Sequence, residues 1–310
     1  GAFGRFFHRS ENNTMQTRTT GLLLSLAGVT LISPDVLVMR WVNLDHASVL
    51  MWRGLFMTLG FSAVVLYRYR LAAVRAIKRA GRLGVASGFC FALNTTCYTE
   101  AIQRTSATAT VMIIATAPVF AALISWLVLD ERIDRKTAIS MFVTLIGIAI
   151  IATDGGGQND MLGNLFAVCT AIFLAINFTL ARLKSNIDLT PGLMFGGMIA
   201  ATFGLMLGGA PQADTEWTQL AAIALTGAIL MPIGFTLLQI APRYTSATEV
   251  SLFLLFEAVL GPVWVWLVLN EAPTRTTLVG SVIIISALLY YGAPASWGTR
   301  LRLRLGTSSR

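Results

Sequence analysis

Long apolar runs separated by short polar breaks dominate the chain. Leu22 to Val38 holds one charged residue, and Leu83 to Thr99 and Ala107 to Leu129 hold none. These runs are apolar all round instead of striped at helical spacing, which is the pattern of helices in lipid. Ten of them follow one another, at 19–41, 46–67, 83–103, 106–129, 136–153, 161–181, 191–210, 217–240, 246–269 and 276–293. Hydrocarbon offers no partner for backbone amides, so each run is expected to be a helix. The alternation of a membrane β-strand is absent. The predicted fold class is therefore an all-α polytopic membrane protein with ten transmembrane helices and short connections.

Composition agrees. The 310 residues are 55% hydrophobic and 12% charged, with a mean hydropathy of +0.70, against about 25% charged in soluble domains. The three cysteines, Cys90, Cys97 and Cys169, all fall inside spans. They read as small packing residues, not as disulfides or metal ligands.

A net charge of +8 raises the question of nucleic acid. Its distribution answers differently. With the N-terminus inside, the inner segments hold 19 of the 23 lysines and arginines, the outer ones hold Arg40, Arg104 and Arg275, and Arg53 lies within a span. The positive-inside rule then places both termini in the cytoplasm. The basic segments become anchors to anionic membrane lipids, and no nucleic-acid partner is expected. Residues 1–14 precede Met15 and read as a remnant ahead of the natural start, and 296–310 read as a basic cytoplasmic tail.

The chain also repeats itself. "TSATATVMIIATAPVFAALISWLVLDE" begins at Thr105 and "TSATEVSLFLLFEAVLGPVWVWLVLNE" at Thr245, an ungapped offset of 140. "GLLLSLAGVTLISPDVLVMR" begins at Gly21 and "GNLFAVCTAIFLAINFTLAR" at Gly163, an offset of 142 that sets Asp35 opposite Asn177. Two near-equal offsets point to duplication of a five-helix unit, over 15–154 and 155–295. Five is odd, so the halves are expected to enter the membrane in opposite senses. That is the architecture of many secondary transporters, and exchange of conformations between such halves yields alternating access.

The order of elements resembles the drug/metabolite transporter superfamily, specifically its EamA-type members. The residues that carry the resemblance are Arg53 within "MWRGLFMTLG", the stretch "ATAPVFAALISWLVLDERI" from Ala115 to Ile133, and its echo ending in "WLVLNE". The second half departs from the pattern, with Ala258-Val259 where the first has Pro118-Val119, and with no counterpart of Arg53. The resemblance implies a bacterial inner-membrane exporter of small metabolites, with amino-acid exporters of the YddG type as the leading analogy. It further implies a central cavity lined by spans 1, 3, 4, 6, 8 and 9.

Proline within a span frees a backbone carbonyl, and Pro34, Pro118, Pro232 and Pro262 mark spans 1, 4, 8 and 9 as irregular. Simple tolerance of proline in membrane helices is the alternative. Polar residues at membrane depth are functional candidates. Asp35 and Arg53 lie at similar outer depth, and suit an ion pair that is either a brace or an outer gate or substrate contact. Glu257 falls near mid-span, fit for an ammonium group, a proton or plain polar packing. Asn94, Thr95 and Tyr98 could meet a zwitterion with an apolar tail or bond between helices, and Met112 and Thr116 could face the cavity or pack. Asn177, Gln239 and Glu249 are expected near the inner mouth as a hydrogen-bonded gate.

Other classes fit poorly. The two histidines, His8 and His46, lie outside the span cores, and no zinc or serine-triad pattern accompanies them. The three lysines sit near span ends, where a retinal Schiff base does not form, and no phosphate-binding loop occurs. No enzyme activity, cofactor or metal is expected. The expected partner is a small-molecule substrate, a channel remains an alternative, and monomer and homodimer are both open.

Overall fold

The computed structural model describes residues 19–129, 135–153, 160–183, 187–211, 216–241, 244 and 247–292. Among the described residues every regular element is helical. Glu131 and both chain ends lie outside them, and the side chain of Glu249 is not among those described. The helices are α1 (19–32), α2 (Asp35–Trp41), α3 (His46–Tyr69), α4 (Ala73–Arg104), α5 (Ala107–Ile114), α6 (Ala117–Leu129) and α7 (Arg135–Ala152) in the first half. The second half has α8 (Met161–Leu183), α9 (Thr190–Met206), α10 (Trp217–Ala224), α11 (Met231–Ile240), α12 (Ala247–Leu269) and α13 (Arg275–Gly292). Among the described residues, five stretches are long and apolar enough to cross a membrane: Thr19–Trp41, His46–Arg104, Ala107–Ile124, Met161–Ala181 and Trp217–Ile240. The chain is a multi-pass membrane protein. Its flanks carry exposed Leu59, Phe142, Leu165, Leu267 and Val282, a surface that lipid covers and water would not.

The prolines act unequally. Pro34 caps α2 and breaks the first rod at 33–34, and the Thr30 carbonyl it cannot bond is taken by the Ser33 hydroxyl at 3.1 Å. Pro118 starts α6 after a break at 115–116. Pro232 opens α11 just after a π-helical turn, Leu225–Leu230. Pro262 corrects the expectation, because α12 runs through it without interruption. The carbonyl that Pro262 cannot bond is that of Ala258, which borders a cavity and can stay helical without a partner in the chain. A further kink was not anticipated. Gly81, at φ 53°, separates the first turns of α4 from the rest, in a conformation that costs glycine little.

Packing joins the two halves. α3 lies along α9, α4 along α8 and α9, and α7 along α13. Equivalent positions make equivalent contacts. Gly28 meets Gly234, and their repeat mates at offsets 142 and 140, Thr170 and Asn94, are joined by a hydrogen bond from Asn94 Nδ2 to the Thr170 carbonyl at 3.0 Å. Buried hydroxyls mostly bond back to their own helix, as Ser25 does to Gly21, Thr99 to Thr95 and Thr179 to Ala175, each at 2.9 Å.

The loop before α9 is tied to the end of α3. Asp188 accepts from Tyr69 Oη at 2.6 Å and pairs with Arg68 Nη1 at 3.0 Å. Burial alone would raise the Asp188 carboxyl, but bonds from Thr190 and Tyr69 and the Arg68 charge outweigh it and hold the pKa below 3.8. A depressed carboxyl pKa adds stability above the unfolded value, which is lost as pH falls through the folded value. Thermal unfolding from pH 6 down to pH 3 is therefore expected to show a loss in Tm below about pH 4 that Asp188→Asn reduces. An identical acid slope in both proteins would show that this carboxylate does not link to folding.

Candidate functional site

A partly open cavity lies between α3, α4, α5, α6, α8, α11 and α12, with about 710 Å³ of space that includes its open mouth. α3 contributes Arg53 and Met57, one turn apart. α4 contributes Phe91, Asn94, Thr95 and Tyr98, whose spacing sets them on one helical face. α5 and the following break contribute Val111, Ile114 and Ala115, and α6 contributes Pro118. The second half supplies Thr170 and Leu174 from α8, Met231 and Phe235 from α11, and Glu257 and Ala258 from α12.

Arg53 is the charged centre. Its guanidinium is 3% exposed, and Nη1 donates to Oδ1 of Asp35, itself 1% exposed. The Tyr98 ring lies 5.1 Å from the Arg53 Cζ, a cation–π distance. Glu257 is near enough to interact electrostatically with Arg53. Desolvated charges at these positions are costly unless paired, so the cluster stands or falls as a group. The cavity also has an aromatic side, with Phe91 edge-on to Phe235 in the lining and to Phe61 outside it, both at 5.5 Å centroid separations.

The structure thus brings Asn94, Thr95, Tyr98, Arg53 and Glu257 to one cavity. Asp35 is not on its wall and sits behind Arg53, so the first rod is replaced by α3 in the lining. Met112 and Thr116 do not line it either. Met112 packs in the core, and the Thr116 hydroxyl bonds the Ile113 carbonyl at 2.6 Å. Val111, Ile114 and Ala115, spaced i, i+3 and i+4, form the face that turns inward instead.

Asn177 lies in a smaller adjoining space of about 250 Å³, with Gln239, Leu174 and Phe178. It is joined to α4 twice, donating to the Ser87 carbonyl and accepting from Ser87 Oγ, both at 3.1 Å. Glu249 has no described side chain, so its expected role there lies outside the described residues.

Sequence reasoning missed Phe91, Phe235, Met57 and Met231 on the wall. The first was legible, since Phe91, Asn94 and Tyr98 follow helical spacing. It also missed two ties across the bundle. Arg40 Nε pairs with Glu271 Oε2 at 2.8 Å, with Arg40 Nη1 on the Ile102 carbonyl at 3.2 Å. Trp264 Nε1 donates at 3.2 Å to Ser33 Oγ, which sits in the break of the first rod. That bond adds an interior contact to a tryptophan whose expected place is an interfacial belt.

A lipid-embedded helical bundle with a mixed-charge internal cavity has the build of a membrane transporter. Comparison with known proteins specifies it: the family model of the EamA-like transporter family matches twice, over residues 19–153 and 161–292, and the chain belongs to that family. It is 26% identical over 277 residues to the pseudopaline exporter CntI of Pseudomonas aeruginosa, an alignment covering 87% of this chain and 95% of that one. It is 26% identical over 207 residues to an uncharacterised transporter of Clostridium kluyveri, covering 62% of this chain and 66% of the relative, just under two thirds of its length. A solved crystal structure shares the fold at a TM-score of 0.64 and 17% identity, covering 93% of this chain and 99% of the other. The protein is a membrane transporter of this family.

Proposed function

We propose that the protein is a secondary transporter that exports amino acids, apolar and aromatic ones included, across the bacterial inner membrane by alternating access. In this reading each of the ten rods crosses once, both ends are cytoplasmic, and the halves are inverted copies. The observation that carries the substrate class is the cavity itself. A guanidinium, a carboxylate and an amide share the cavity with the rings of Phe91 and Phe235, which matches a zwitterion with an apolar tail. Two matches of one family model and the equivalent contacts Gly28–Gly234 and Thr170–Asn94 support the two-fold construction. Asp35 and Arg53 then stand on the outer side of the cavity, and Asn177 and Gln239 on the inner side. Closing one side while opening the other is what exchange of conformations between halves does.

The test is counterflow in proteoliposomes with a panel of amino acids and other small metabolites, with and without a proton gradient. Saturable counterflow of apolar amino acids is expected. A flux that never saturates would make the protein a channel, and no uptake of any amino acid would end the substrate assignment.

Glu257 is the proposed coupling carboxylate, because it faces the cavity near mid-helix with Arg53 beside it. Glu257→Gln is expected to abolish the stimulation of transport by a proton gradient, read as the ratio of uptake with and without the gradient. Since general acid–base partners must reach the cavity to exchange a proton, unchanged gradient dependence would remove Glu257 from that role.

A further inference from the structure

Arg53 is the only cation among the described residues that line the cavity, and its hydrogen bonding is incomplete. Nη1 is used on Asp35 Oδ1, while Nε is buried with no acceptor. Asp35 also lies within reach of the Tyr98 hydroxyl, and its Oδ2 has no hydrogen bond of good geometry. A guanidinium presents a planar fork that meets a carboxylate through two parallel bonds, so a pair serving only as a brace would be expected to close both. Here the contact is single, and Nε, a buried donor of a residue that lines the cavity, is left over.

The surroundings narrow what can use that donor. Tyr98 covers a face of the guanidinium, so a ligand meets it in its plane, where its N–H donors lie. Asp35 holds the far side from behind the wall. Buried donors without acceptors are rare in folded proteins, and a ligand is one of the groups that complete them. An anion with a localised, planar pair of oxygens fits, and a neutral or purely cationic ligand leaves the donor unmet.

We propose that Arg53 is the carboxylate receptor of the transport cavity. Its Nε–H donates to an oxygen of the substrate's carboxylate while Nη1 stays on Asp35. Asp35 is then a positioning residue that holds the fork, and Glu257 lies on the side from which a substrate ammonium group is met. The assignment rests on the transporter reading above and sharpens it. It requires a carboxylate on the substrate, whereas a drug-like cation or a neutral metabolite satisfies only the coarser reading.

The test uses the full-length wild-type protein, so it does not depend on a variant folding. Binding of L-phenylalanine, L-phenylalaninamide and phenethylamine is measured by ligand-dependent thermal shift in detergent, and the three are then compared as counterflow substrates in proteoliposomes. The amino acid is expected to bind at least tenfold more tightly than the amide or the amine. Arg53→Lys keeps the positive charge beside Asp35 but lacks the fork, and is expected to bring acid and amide to within about threefold of each other. Equal affinity of the wild type for all three ligands overturns the assignment, as does an Arg53→Lys protein that keeps the full preference for the acid. Counterflow without acid preference sinks the receptor alone, whereas absence of both binding and counterflow for L-phenylalanine and every other amino acid sinks the amino-acid reading with it.

Discussion

Asp35→Ala is expected to destabilise the folded protein by about 3–5 kcal/mol, the cost of leaving the partner of a buried ion pair behind without its counter-charge. The pair is almost wholly buried, at 3% and 1% side-chain exposure, so solvent screening does not soften the loss. The comparison that separates charge from packing is a double variant. Asp35→Leu with Arg53→Met removes both charges and keeps apolar volume, and is expected to recover most of the stability lost by the single change. Thermal and denaturant unfolding in detergent measures both. A loss under about 1 kcal/mol for Asp35→Ala would mean that Arg53 turns to Glu257 as its counter-charge, and Glu257→Gln in that background would then bring the full penalty back.

Gly54→Val is expected to be the most damaging apolar change, costing about 3 kcal/mol or preventing accumulation of monodisperse protein. A Cβ at Gly54 would run into the Ala201 amide, with the Gly197 carbonyl at 2.7 Å and the Ala201 Cα at 2.8 Å. These neighbours are backbone on a facing helix, so no side chain can rotate away, and α3 and α9 must separate instead. The same contact continues at Gly204, where a Cβ would meet the Ala47 carbonyl at 2.7 Å. Close approach of small residues is how helices associate where the hydrophobic effect does not drive them together. Leu59→Val, on the same helix at a side chain 57% exposed, is the control and is expected to be near neutral. A Gly54→Val protein that purifies and melts like the wild type would show that the two helices do not meet this closely.

Much of this was legible beforehand, but unevenly. The apolar runs are recovered as helices, and the prolines at 34, 118 and 232 mark real breaks, because each local pattern carries its own physical consequence. Pro262 does not, since the freed Ala258 carbonyl borders the cavity and the helix need not bend to satisfy it. Asp35 and Arg53 could be set at one depth from their positions alone. That their faces meet, with Tyr98 over the guanidinium, depends on how the first rod and α3 rotate against α4. Met112 and Thr116 were misplaced for the same kind of reason. α5 has no distinct apolar stripe, so its periodicity does not tell the face of Val111, Ile114 and Ala115 from that of Met112, and rotation against its neighbours decides.

The amino-acid sequence by itself determined that the chain is helical, belongs in lipid, carries its positive charge mainly on alternate connections and contains one unit twice. Each of these is a sum over neighbouring residues or a comparison of the chain with itself. Only the tertiary structure decided which residues face the cavity, why α3 replaces the first rod in its wall, and that Arg53 keeps a buried donor without an acceptor. Those facts depend on contacts between positions as distant as 28 and 234 or 94 and 170. Helix rotation and crossing are set by such contacts, and hydropathy is blind to them because it scores a residue against lipid and not against its partner.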